Sequence, residues 1–110
     1  MSTSIYYSAK RNEPMTLLEH QHIQSILDDY NENYPYRDEE ETLSLYSEPS
    51  SGYILEGSTK LPLYDENMLI DSVNYWLEAL AKLKFALPSA QWEISIDDCT
   101  ASWVDDHWEM

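Results

Sequence analysis

Apolar positions recur along the chain with two different periods, and each period predicts an element. Ile5-Tyr6-Tyr7, within Thr3–Ala9, has the β-branched and aromatic content of a strand. Asn12-Glu13-Pro14 ends it. Thr16-Leu17-Leu18-Glu19 forms a capping box, in which each end residue can satisfy an amide of the other. Ile23, Ile26, Leu27 and Tyr30 follow at helical spacing and predict a helix to about Tyr30. Leu43 and Leu45 alternate with Ser44 and Tyr46, which predicts a strand. Glu48-Pro49-Ser50-Ser51-Gly52 is a turn signal, so Tyr53–Glu56 reads as the returning strand of a hairpin. A loop begins at Gly57 and runs past Pro62.

Asp65 is placed as an N-cap. Leu69, Val73, Trp76, Leu80, Leu83 and Leu87 then recur three or four apart, the strongest helical pattern in the chain. Pro88 ends it, because the residue before a proline avoids helical angles. Trp92, Ile94 and Ile96 alternate with Glu93, Ser95 and Asp97, as in a half-buried strand. Asp97–Thr100 can turn, and Ala101–Trp108 reads as a last strand. The order β-α-β-β-α-β, with this additional strand, is that of a split βαβ, ferredoxin-like α+β fold. It predicts one small domain over residues 1–110, an antiparallel sheet with two helices on one face, an acidic loop at 31–42 and an acidic, Trp-containing segment at 91–110.

Charge changes this picture more than composition does. The 110 residues carry 21 Asp plus Glu against 6 Lys plus Arg, for a net charge of −15. Residues 28–48 hold −7 and residues 91–110 hold −6, so two short segments supply nearly all of it. With 43% apolar residues, 4 Trp and 9 Tyr, the chain is too aromatic for a disordered acidic segment. Binding of nucleic acid through its phosphates needs clustered cations, and an anionic membrane repels a polyanion, so neither is an expected partner. No window is apolar enough to span a bilayer, and Met1–Ser4 carries no basic region followed by an apolar run. With Cys99 as the sole cysteine, a cytoplasmic protein without disulfides is expected.

Candidate chemistry is sparse. Asp29, Asn31, Asn33 and Glu40 match four positions of a calcium-loop template, but Tyr34 stands where its glycine belongs and Arg37 at a ligand position. His20 and His22 are two apart on a helix and cannot share one metal; His20 falls on the flank of the apolar stripe, as a partly buried histidine. Asp105 and His107 share a strand face while Asp106 does not, which leaves that cluster short of a site. Cys99 lies between Asp98 and Thr100, where carboxylates disfavour a reactive thiolate. With only 2 Gly, a phosphate-cradling loop is not expected. The reading is of a non-enzyme with no catalytic residues, metal or cofactor.

What remains is aromatics set among acids. Tyr34 and Tyr36 adjoin Asp38, Glu39, Glu40 and Glu41. Trp103 and Trp108 share a base-free segment with Asp97, Asp98, Asp105 and Asp106. Tyr and Trp are frequent interface anchors, and surrounding acids raise the on-rate of a basic partner. Trp103 and Trp108 equally suit closing the open end of a small core, and the two readings stand side by side. Tyr7, Tyr46 and Tyr53 are placed on a second sheet face through which the chain pairs with another, so a monomer or weak homodimer is expected.

In size and acidic composition the whole chain resembles the immunity proteins encoded beside bacterial polymorphic or contact-dependent toxins. It also resembles the nucleic-acid mimics that mobile elements use against DNA-binding defence enzymes. The first resemblance implies a protein that occludes the active site of a basic toxin domain, such as a nuclease, with carboxylates standing where substrate phosphates would lie. Asp38–Glu41 and the 97–109 segment would supply the carboxylates, and Tyr34, Tyr36, Trp103 and Trp108 the anchors. The second implies charges spaced like phosphates along a surface, against which the near-neutral first 27 residues weigh.

Overall fold

The computed structural model describes residues 3–62, 64–97 and 99–110. The chain forms β1 (Thr3–Lys10), α1 (Leu17–Asn33), β2 (Tyr53–Leu61), α2 (Glu66–Ala86), β3 (Gln91–Ile96), β4 (Cys99–Thr100), β5 (Ser102–Val104) and β6 (His107–Glu109). The fold is α+β. One antiparallel sheet has the order β2-β1-β3-β4, and β5 and β6 pair as a separate hairpin. Both β2 and β3 run antiparallel to β1, hence parallel to each other, so β2-α2-β3 is a split βαβ unit with β1 in the gap.

The helix starts follow from local chemistry. The Thr16 hydroxyl accepts from the Glu19 amide at 3.1 Å, and the Glu19 carboxylate accepts from the Thr16 amide at 2.9 Å. Asp65 accepts from the amides of Asn67 and Met68 at 2.9 and 3.1 Å. The ends follow from proline. Tyr34 and Leu87 each precede one and leave helical angles, at φ −65°, ψ 124° and φ −129°, ψ 65°. For α1 this rule acts three residues beyond the end that apolar spacing predicts.

One side of the sheet carries Ile5, Tyr7, Ala9, Leu55, Leu61 and Ile94, all buried. They join Ile23 and Leu27 of α1 and Trp76, Leu80 and Leu83 of α2 in a single core. Each such side chain contributes about 1.5–3 kcal/mol relative to exposure. Tyr7 therefore belongs to the core face, and its neighbour Tyr6 points to the open one, contrary to the sequence reading.

The predicted strand at Leu43–Tyr46 is instead an irregular strap along the outer edge of β2. Side chains occupy its backbone groups. Asn31 donates to the Leu43 carbonyl at 2.9 Å and accepts from the Leu43 amide at 3.0 Å. The Tyr7 hydroxyl donates to the Ser44 carbonyl at 2.5 Å and accepts from the Ser44 amide at 3.0 Å. Such bonds compete with a strand ladder, and among the described residues one backbone–backbone bond joins the strap to β2, from the Tyr46 amide to the Glu56 carbonyl, 2.8 Å away. The strap lies so close that a Cβ on Gly57 would collide with the Ser44 carbonyl oxygen and sit 2.6 Å from the Tyr7 ring. Gly57 is thus part of β2, which pairs with β1 and runs on to Leu61 where a loop was expected.

Candidate functional site

The ends of the two long helices meet antiparallel, tied by tyrosines. Tyr75 Oη donates to the Tyr30 carbonyl at 2.6 Å, Tyr34 Oη lies 2.6 Å from Ser72 Oγ, and Tyr36 Oη donates to Asp71 at 3.2 Å. Tyr34 is 1% exposed, its ring 4.4 Å from that of Trp76 and 5.4 Å from that of Tyr75. Burial pushes its phenol pKa up. Tyr34 is therefore a core residue and no anchor on the surface. Tyr36 is half-buried against it, with ring centroids 5.6 Å apart. The sequence expected both to be exposed, and the helix–helix contact explains why they are not.

This knot fixes the acidic loop as a short series of turns. The amides of Glu39 and Glu40 donate to the Tyr36 carbonyl, and Arg37 turns back to the Glu32 carbonyl at 2.6 Å. Asp38, Glu39 and Glu41 stand exposed. Glu41 accepts from the Lys60 amide at 3.0 Å, and Glu40 accepts from Tyr64 Oη, which holds that phenol at about 12. Because α1 ends where α2 begins, Asp28, Asp29 and Glu32 come to the same end of the molecule as Asp65, Glu66 and Asp71. Asp97 joins that end of the sheet, bonded by Thr3 Oγ1 at 3.3 Å, since Thr3 pairs with Leu61 next to Lys60. Among the described residues eleven carboxylates thus gather at one pole with the cations Arg37 and Lys60, and Lys82 of α2 lines a groove with Asp29 at its margin.

The C-terminal acids are arranged differently. Asp105 and Asp106 form the two-residue turn of the β5–β6 hairpin, at φ 43° and 77°. Both central residues of such a tight hairpin turn need positive φ, which Asp tolerates better than most residues. Trp103 and Trp108 face each other across the hairpin with centroids 5.1 Å apart, and Phe85 of α2 meets Trp103 at 5.6 Å. Trp108 is buried and Trp103 half-buried, so closing the small core is the reading that geometry favours for Trp108. Lys84 Nζ lies 5.1 Å over the Trp103 ring, and Lys82 lines a 270 Å³ groove with Glu78, Asp106 and His107. Cations from α2 therefore reach the segment that reads as base-free. Asp98 lies outside the described residues.

Asp65, Glu66 and Asp71 escaped the sequence reading because their segment carries a net charge of only −2, and only helix pairing brings them to the loop. His20, expected to be partly buried, is exposed, as is Cys99. Among the described residues no three His, Cys, Asp or Glu side chains converge on a metal position, and no helix is long and apolar enough to cross a membrane. Comparison with known proteins finds no matching family model, curated relative or solved structure.

Proposed function

We propose that this chain is a non-catalytic acidic binding protein that inhibits a basic protein partner, as an immunity protein does when it covers the cationic active site of a toxin domain. The acidic pole carries the reading. It concentrates like charge on one end, and part of that charge opposes the fold. Asp28, Asp29 and Glu32 occupy the last turns of α1, where the helix dipole favours cations and α1 has none in its last turn. Asp28 and Asp29 recover only exposed bonds from Gln24 and Asn33 of the same helix, and a locally unfavourable charge of this kind suits a surface kept for binding. The opposite end, with Lys10 and the Arg11–Glu19 ion pair of 2.8 Å, is not acidic, which suits one-sided docking better than mimicry of a duplex coated with charge all round.

The test is a 1:1 binding and inhibition assay on a basic domain recovered at low ionic strength. Binding should weaken steeply with salt, because exposed charges are screened beyond about 8 Å at physiological ionic strength. The triple variant D38K/E39K/E41K should stay folded, its thermal midpoint shifted only by loss of the exposed bond between Glu41 and the Lys60 amide, and lose inhibition by at least about a hundredfold, as expected when several steering contacts are reversed. Full inhibition by that variant, or recovery of no basic protein, would overturn the proposal.

A further inference from the structure

The face of the sheet turned away from the helices has a construction of its own. Along β1 it shows Tyr6, Ser8 and Lys10, and register places Glu56 and Glu93 on either side of Ser8, one on each neighbouring strand. Adjacent strands lie about 4.8 Å apart, so the two glutamates stand about 10 Å apart across the face. Tyr6 is 49% exposed, Tyr46 47% and Tyr53 36%. Together with the glutamates they line a cleft of about 190 Å³.

Tyr6 arrives by the ordinary alternation of β1, and two other devices bring Tyr53 and Tyr46. Register shifts at Ala9/Lys10, so that Ala9 pairs with Leu55 but Lys10 pairs with Tyr53. Strict alternation would place Tyr53 on the core face with Leu55. The bulge at Ile54 turns Tyr53 outward and packs Ile54 against the core instead. Tyr46 arrives from the strap, its amide on the Glu56 carbonyl and its hydroxyl 2.9 Å from Ser58 Oγ, so its ring lies along the cleft rim. Glu56 gives one carboxylate oxygen to the Ser50 amide at 2.9 Å. Among the described residues neither Glu56 nor Glu93 has an ion-pair partner. The rings already take one cation, since Lys10 Nζ stands 5.8 Å from the Tyr53 centroid.

We infer that this cleft binds an arginine side chain of a protein partner. A guanidinium is planar, so it stacks on tyrosine faces while its edge N–H groups reach a carboxylate, a combination that a lysine ammonium matches less well. Among the described residues the cleft lining holds two carboxylates and no Lys or Arg, and the single cation nearby, Lys10, stands at its Tyr53 edge. This site lies on a different face from the acidic pole and does not rest on the proposed inhibition.

Amide NMR of the full chain, titrated with N-acetyl-arginine amide, tests it. N-acetyl-lysine amide and sodium chloride at matched ionic strength serve as comparators. Saturable shifts are expected at Tyr6, Ser8, Glu56 and Glu93, with arginine binding at least about fivefold tighter than lysine. The double variant E56Q/E93Q should weaken arginine by about fivefold or more, while its glutamine at 56 still accepts from Ser50 and its thermal midpoint confirms folding. The D38K/E39K/E41K variant should bind arginine amide as the parent does. Shifts centred on the acidic pole, equal responses to arginine and lysine, or binding that survives E56Q/E93Q would overturn the inference and leave the pole's role to its own assay.

Discussion

Two regions look alike in sequence and differ in the fold. Tyr34 and Tyr36 beside Asp38–Glu41, and Trp103 and Trp108 beside Asp105–Asp106, are both aromatic pairs set among acids. The tyrosine pair became a joint between helices, with its ring in the core and its hydroxyl bonded to Ser72. The tryptophan pair became the two sides of an eight-residue hairpin laid against α2, tied to it through Phe85 and Lys84. The acids followed suit. Asp38, Glu39 and Glu41 of the loop stand exposed, whereas Asp106 of the hairpin lines a groove with Lys82 of α2. Aromatic–acid pairing in sequence therefore does not mark an interface by itself. What decides is whether the backbone on either side is already committed to packing.

The comparison breaks most directly by truncation. Y34A should cost about 3–5 kcal/mol in urea denaturation, the range for a buried aromatic, and Y34F about 1–3 kcal/mol because the buried Ser72 hydroxyl loses its partner. W103A should cost less, about 1–2 kcal/mol, since its ring is half-buried on an outlying hairpin. Equal losses at the two positions would mean that the hairpin is as much a part of the core as the helix joint.

A smaller effect sharpens the hairpin side. Replacing Asp105-Asp106 by Asn-Gly places the residues best suited to positive φ at both turn positions. It should stabilise by about 0.5–1 kcal/mol without altering the denaturant slope. Loss of stability would show that the two aspartates hold the hairpin in some other way.

The smallest effect concerns pH at the opposite end of the molecule. The Arg11 guanidinium, then the Thr16 amide, hold the Glu19 carboxyl at about 2 instead of its ordinary 4.5. A lowered folded-state pKa gives stability that is complete above the ordinary value and lost as pH falls through about 2. Between about pH 5 and pH 2 the thermal midpoint of the parent should therefore fall more steeply than that of E19Q. Parallel curves would assign the acid sensitivity to other carboxylates.

Much of the fold was legible in the sequence because its signals are local. The Thr16–Glu19 box, the Asp65 cap and the two prolines act within a few residues, and the structure keeps all of them. The alternation of Trp92, Ile94 and Ile96 held because it lies beside β1 without a bulge. The strand at Leu43–Tyr46 failed for a non-local reason, since Asn31 and Tyr7 occupy its backbone groups from 12 and 37 residues away. Tyr7 was assigned to the wrong face because a run such as Tyr6-Tyr7 does not say which ring faces in, whereas Tyr53 reaches the open face expected of it only through a bulge that reverses parity in β2. Of the acidic surface, Asp38–Glu41 could be read directly, whereas Asp65, Glu66 and Asp71 could not.

By itself the sequence determined the α+β class, the two helices and their caps, and the amount of negative charge. These depend on periodicity, capping chemistry and composition, which any stretch of chain carries locally. Tertiary structure alone decided which face each tyrosine occupies, that the ends of α1 and α2 pool their carboxylates, and that Lys82 and Lys84 come to the C-terminal hairpin. Those outcomes depend on strand register and on the antiparallel meeting of helices. Both are settled by burying one shared core, and no short window of sequence encodes where such a core will bring its distant parts together.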